Sequence, residues 1–390
     1  MSNTQTKNVP ELRFLGFEGE WEEKQLGDIT TKIGSGKTPK GGSENYTNKG
    51  IPFLRSQNIR NGKLNLNDLV YISKDIDDEM KNSRTYYGDV LLNITGASIG
   101  RTAINSIVET HANLNQHVCI IRLKKEYYYN FFGQYLLSRK GKRKIFLAQS
   151  GGSREGLNFK EIANLKIFTP TIFEEQQKIG KFFSKLDRQI ELEEQKLELL
   201  QQQKKGYMQK IFSQELRFKD ENGKDYPEWV EKKLEDIIKV NSGKDYKHLD
   251  NGDIPVYGTG GYMTSVSEPL SEIDAVGIGR KGTINKPYLL EAPFWTVDTL
   301  FYCTPKKEAD ILFILSLFRE INWKVYDEST GVPSLSKQTI IKINRFVPTN
   351  KEQQKIGQFF KKIDNKIKIQ KQVIELLKKR KKTLLQKMFI

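Results

Sequence analysis

Residues 174–212 read EEQQKIGKFFSKLDRQIELEEQKLELLQQQKKGYMQKIF, and residues 351–389 read KEQQKIGQFFKKIDNKIKIQKQVIELLKKRKKTLLQKMF. Aligned without a gap at an offset of 177, 20 of the 39 positions are identical, so one element occurs twice. Each copy carries a heptad whose apolar positions are Ile179, Phe183, Leu186, Ile190, Leu197 and Leu200 in the first, continuing to Tyr207 and Ile211. In the second they are Ile356, Phe360, Ile363, Ile367, Ile374 and Leu377, continuing to Leu384 and Met388. The polar breaks, Glu193 and Lys204 against Gln370 and Lys381, fall at matching places. An apolar repeat every 3.5 residues sustained over five heptads predicts a coiled-coil seam. Each copy would be a helix about 58 Å long, and its most economical partner is the other copy.

Connectivity predicts the direction of pairing. Domain termini usually lie close together, and residues 213–350 join the end of the first helix to the start of the second. An antiparallel pair therefore places that segment at one tip and the preceding residues at the other. The expected organisation is a head at 1–173, a helix at 174–212, a second head at 213–350 and a second helix at 351–390. The fold class is α+β, with mixed heads, two long antiparallel helices and an internal pseudo-two-fold repeat.

The repeat runs beyond the helices. Glu11-Leu12-Arg13-Phe14, then Trp21, Leu26, Asp28 and Ile29, recur as Glu215-Leu216-Arg217-Phe218, then Trp229, Leu234, Asp236 and Ile237. Ser35-Gly36-Lys37 recurs as Ser242-Gly243-Lys244, and Gly156–Pro170 resembles Ser334–Pro348. Short β-branched runs at 51–59, 89–97 and 117–124, and at 254–263, 274–284 and 294–303, predict strands separated by Gly- and Asn-rich turns. Residues 128–147 and 308–322 predict helices.

A net charge of +16 favours a polyanionic partner. The charge is uneven: the second long helix has 13 basic and 3 acidic residues, the first 8 and 7. The two cysteines, Cys119 and Cys303, sit in apolar runs and predict buried thiols of a reducing cytoplasm rather than a disulfide framework. No stretch is long and apolar enough to span a membrane, and the first residues carry no signal-like apolar run.

Catalytic motifs do not assemble. Gly34–Thr38 lacks the first glycine of a phosphate-binding loop, and Pro39 follows where a helix should start. His111, His117 and Cys119 fit no common zinc spacing. Glu194 and Lys196 lie on a long helix, and the third histidine, His248, completes no triad. What remains is a vocabulary suited to base edges and phosphates, Arg matching guanine and Asn or Gln matching adenine. The first head offers Lys37, Lys40, Arg55, Gln57, Asn58, Arg60, Asn93, Thr95, Ser98, Arg101, Asn113, Asn115, Gln116 and Arg154. The second offers Lys244, Tyr246, Lys247, Tyr257, Thr259, Tyr262, Arg280, Lys281, Thr283, Thr296 and Asp298.

With its duplicated EQQKIG-x-FF-x-K-hydrophobic-D segments at 175–187 and 352–364, and the W-x4-L-x-D-I runs at 21–29 and 229–237, the chain resembles the DNA-specificity (S) subunits of type I restriction-modification systems. The resemblance covers essentially the whole chain. It implies two target-recognition domains, each reading one half of an asymmetric, gapped site in double-stranded DNA, with the helices setting the gap. It also implies docking of two methylation (M) subunits that bring S-adenosylmethionine and methylate adenine N6. Restriction (R) subunits using ATP and magnesium would complete the complex; the S subunit itself would be non-catalytic and cytoplasmic. The rival readings are a stand-alone nucleic-acid-binding coiled-coil protein and an enzyme with an unrecognised site in one head.

Overall fold

Phe173–Phe212 and Asn350–Met388 each form one uninterrupted helix, of 40 and 39 residues. They appear in a computed structural model that describes residues 8–149 and 156–390. The chain divides into two compact units, Met1–Glu194 with Val373–Ile390, and Gln195–Gln372. Each long helix contributes to both.

In the first unit a four-stranded sheet has the order Thr30–Ser35, Val118–Leu123, Val90–Asn93, Thr102–Ile104, with every neighbour antiparallel. A second sheet pairs Ile51–Leu54 in parallel with Ala112–Leu114 and antiparallel with Val70–Ile72. A two-stranded ribbon joins Glu22–Gln25 to Lys166–Thr169. The second unit repeats this plan. Ile238–Ser242, Leu300–Pro305, Ala275–Gly279 and Tyr288–Leu290 form the antiparallel sheet. Asn251–Gly258 lies parallel to Trp295–Thr296 and antiparallel to Gly261–Val266, while Val230–Lys233 pairs with Asn344–Val347. The second head is shorter, about 137 residues against about 172. It has no counterpart of the Lys74–Glu79 helix, the Ile59–Leu64 hairpin or the Arg139–Leu147 helix. The predicted helix over 128–147 is two, Tyr129–Leu137 and Arg139–Leu147. Ser138 breaks it with extended backbone and caps the second helix by accepting from the Gly141 N–H.

The duplicated helix-opening motif is explained residue by residue. Glu175 and Glu352 are fully buried, which requires a partner; Arg13 donates to Glu175 at 2.7 Å through both Nε and Nη2, and Arg217 donates to Glu352 at 2.9 Å. Gln176 accepts from the Tyr128 N–H and donates to the Pro170 carbonyl, as Gln353 does with Asp310 and Pro348. Gly180 and Gly357 lie so close to the Phe131 and Phe313 backbones that a Cβ would collide there. Phe183 and Phe360 then enter the head cores.

Each head also leans on the end of a long helix. Leu12 N–H donates to the Lys387 carbonyl in the first unit, and Leu216 N–H to the Lys210 carbonyl in the second. Trp21 packs against Phe389, and Trp229 against Phe212. The first head is therefore completed by the last turn of the second helix.

Inside each unit the two helices run antiparallel: Phe183 stacks on Phe389 while Asp187 meets Lys381 and Glu194 meets Lys378. In the second unit Lys204 meets Asp364 and Tyr207 meets Phe359. Leu186, Ile190 and Leu377 form a helix–helix cluster, and Ile374 is also buried. Leu197, Leu200, Ile363 and Ile367 are half-buried. Ile179, Phe183, Ile356 and Phe360 differ from the rest of the seam in being members of the head cores, because each helix starts against its own head. Among the described residues no helix is long and apolar enough to cross a membrane.

Candidate nucleic-acid interface

Gly36 and Gly243 end equivalent strands where the chain must pass directly over another backbone. A Cβ on Gly36 would fall on the Leu114 carbonyl, and one on Gly243 on the Val297 carbonyl. With no side chain in the way, Lys37 N–H donates to Leu114 O and Lys244 N–H to Thr296 O, both at 2.8 Å. The neighbouring crossings match as well: Asn115 N–H donates to Leu54 O, and Val297 N–H to Tyr257 O. Ile94 N–H likewise donates to His117 O and Arg280 N–H to Thr299 O, so four segments are gathered at one edge of each head.

In the first head these segments bring together Lys37, Gln57, Thr95, Ser98, Arg101 and Gln116. Thr38 bonds Gln116, and Thr95 Oγ1 lies 2.6 Å from His117 Nδ1. Lys37, Lys40, Gln57, Arg60 and Gln116 are exposed, whereas Arg55, Thr95, Ser98 and Arg101 are half-buried. Arg55 donates to the Asp68 carbonyl and lies 5.5 Å from the centre of the Tyr46 ring.

Four of the asparagines expected to read bases do not face outward. Asn58 is fully buried, accepts from the Arg55 N–H and donates to the Asn65 carbonyl. Asn93 is also fully buried and donates to the Ser56 carbonyl and Ser98 Oγ. Asn113 donates to Asp77 and to the Met80 carbonyl, and Asn115 accepts from the His117 N–H. Their amides brace the turns from the interior, and Asn93 Oδ1 is buried there without a hydrogen-bond partner. Arg154 lies outside the described residues.

In the second head Lys244, Lys247, Tyr262, Arg280, Lys281 and Asp298 are exposed, and Tyr246, Tyr257, Thr259 and Thr283 are half-buried. Thr296 is fully buried. Tyr257 and Tyr262 face each other across the Gly258–Gly261 turn, ring centres 6.4 Å apart. Arg280 is held by bonds to the backbones of Thr299 and Leu335, and its guanidinium lies 5.8 Å from the Phe301 ring. Thr38, His117 and the exposed Met263 join these edges without having been expected from sequence to face DNA; only the three-dimensional convergence of the turns brings them there.

The histidines and cysteines are otherwise engaged. His111 lies 3.0 Å from both Asp77 carboxylate oxygens, and burial pushes the Cys119 thiol up to about 12. Among the described residues no group of three or more His, Cys, Asp or Glu side chains could hold a metal ion.

Comparison with known proteins accords with this geometry. The type I restriction modification DNA specificity domain profile matches residues 18–202 and 226–379. The type I restriction enzyme MjaVIII specificity subunit of Methanocaldococcus jannaschii is 24% identical over 424 residues, covering 97% of this chain and 94% of that protein. The MjaX specificity-subunit homologue of the same organism is 27% identical over 198 residues, 50% of this chain, and the chain spans 46% of that relative's length. Among solved structures, the type I restriction-modification S subunit from M. genitalium superposes with a TM-score of 0.68 at 19% identity, covering 98% of this chain and 99% of that one. At that identity the likeness establishes the fold.

Proposed function

This chain belongs to the type I restriction-modification DNA specificity family, and we propose that its two heads each read one half of a bipartite, asymmetric, gapped site in double-stranded DNA. The observation that carries this reading is the pair of equivalent four-segment edges, built by the same backbone bonds around Gly36 and Gly243 but bearing different side chains. A constant frame with changed edge residues is what two readers of different sequences require. A head covering a few base pairs discriminates weakly alone, and joining two on stiff helices combines their discrimination through effective concentration. Phosphate contacts would add salt-sensitive affinity.

In this reading residues 1–173 and 213–350 are the target-recognition domains, and the helices set the gap and dock two methylation subunits. Those subunits would bring S-adenosylmethionine and flip the target adenine for N6 methylation; restriction subunits would bring ATP and magnesium. The chain itself supplies recognition and geometry, not chemistry. The exposed Lys37, Gln57, Arg60 and Gln116, and Lys244, Tyr262, Arg280 and Lys281, are the side chains proposed to face DNA. The test is to map methylated adenines across the genome in cells with and without this gene. A two-part motif that vanishes with the gene supports the reading; an unchanged methylation pattern overturns it.

A further inference from the structure

The second long helix carries Lys378-Lys379-Arg380-Lys381-Lys382 where the first, at the same repeat positions, carries Gln201-Gln202-Gln203-Lys204-Lys205. Equivalent docking roles for the two helices do not account for this difference. In the first unit Lys378, Lys381 and Lys382 line a cleft of about 620 Å³ together with Arg139, Lys142 and Asn61. Arg139 and Lys142 come from the helix Arg139–Leu147, which the second head lacks. The short-helix half of the wall thus belongs to one repeat only, and on the long helix Lys378 replaces Gln201 while Lys381 and Lys382 match Lys204 and Lys205; no carboxylate lines the cleft.

Two of the five cations are engaged at the rear: Lys381 with Asp187 at 2.5 Å and Lys378 with Glu194 at 2.9 Å. Among the described residues Arg139, Lys142 and Lys382 make no ion pair, and all three are exposed. Three like charges held along one cleft repel one another unless an anion joins them. The cleft wall includes Asn61, in the turn that follows Arg60, so it is continuous with an element already proposed to face DNA.

We propose that this cleft binds the phosphate backbone of duplex DNA outside the base-reading edges, adding affinity without sequence preference. The proposal rests on the DNA-reading function above. Its chemistry fits: duplex DNA presents about one charge per 1.7 Å of axis, and each neutralised phosphate adds about 0.9 to the slope of log affinity against log salt. Lysine and arginine on separate helices, spread along an open cleft floored by Leu137 and Leu385 with no carboxylate, suit a repeating polyanion better than one small anion.

The experiment is a salt titration of the full-length chain binding a 40-base-pair duplex of arbitrary sequence, comparing wild type with Arg139→Gln/Lys142→Gln/Lys382→Gln. The triple variant should lose about 2–3 from the salt slope and about tenfold or more in low-salt affinity. A control of equal charge change on the same helix, Lys362→Gln/Lys366→Gln/Lys368→Gln, should leave the slope within about one unit of wild type. Arg139→Lys/Lys142→Arg/Lys382→Arg should restore it. In cells the methylated motif should keep its sequence. A triple variant with wild-type slope and affinity overturns the proposal, as does an equal loss in the control. Loss of subunit assembly with DNA binding intact also overturns it and assigns the cleft to an acidic protein surface. Absence of duplex binding by the wild type would instead refute the DNA-reading function itself.

Discussion

Lys381 Nζ donates to Asp187 at 2.5 Å, and 177 residues earlier Lys204 Nζ donates to Asp364 at the same distance. The lysine break in each heptad, Lys204 and Lys381, is therefore one antiparallel ion pair made twice. Each aspartate also ties in its own head: Asp187 accepts from Gln134, and Asp364 from Arg319. These pairs are only partly exposed, so removing the carboxylate leaves a lysine pointing into the seam. Asp187→Ala should destabilise the first unit by about 1–3 kcal/mol, read as a fall in thermal midpoint. Lys381→Met should cost less, since its stem packs without leaving a charge behind.

Glu175 and Glu352 predict a larger effect. Both are fully buried and depend on one arginine each, Arg13 and Arg217. Arg217→Met leaves Glu352 with a Trp229 Nε1 bond alone and should cost about 3–5 kcal/mol, the range for breaking a buried pair from one side. Denaturant titration of the purified chain checks this, and a change of less than about 1 kcal/mol would contradict the pairing.

Asp77 gives the first head a pH dependence. Burial alone would raise its carboxyl, but hydrogen bonds from Arg84, Asn113 and His111 outweigh that and hold it below the ordinary carboxylate value. A depressed folded value means the stabilisation is present above the unfolded value, about pH 4, and fades as pH falls through the folded one. The difference in thermal midpoint between wild type and Asp77→Asn should be largest above about pH 5 and shrink below about pH 4. A difference that grows on acidification would reverse the assignment.

The long helices, their offset and their inward stripe were legible because local periodicity states them. The ELRF and W-x4-L-x-D-I repeats were legible as repeats, but not their purpose. Arg13 finds Glu175 across 162 residues, and Leu12 finds the far end of the second helix, contacts no window of sequence contains. The asparagines are ambiguous for a related reason. Asn suits both a base edge and a buried turn, and only burial at Asn58, Asn93 and Asn113 separates the two uses. The same ambiguity hid the break at Ser138, where a side-chain cap replaced continued helix.

Leu186, Ile190 and Leu377 pack as an antiparallel seam, and a full heptad inserted at matched points in both helices preserves the phase of that stripe. Each helix then lengthens by about 10.5 Å, at most about 3 base pairs of duplex at 3.4 Å per pair. No head residue changes its own surroundings, so the half-sites should stay as they were while the gap between them widens by roughly 1–3 pairs. A three-residue insertion in one helix alone should instead rotate the stripe out of register and weaken folding or partner docking. The measurement is the methylated motif of each variant in cells. Retained methylation with an unchanged gap after the heptad insertion would show that something other than these helices sets the spacing.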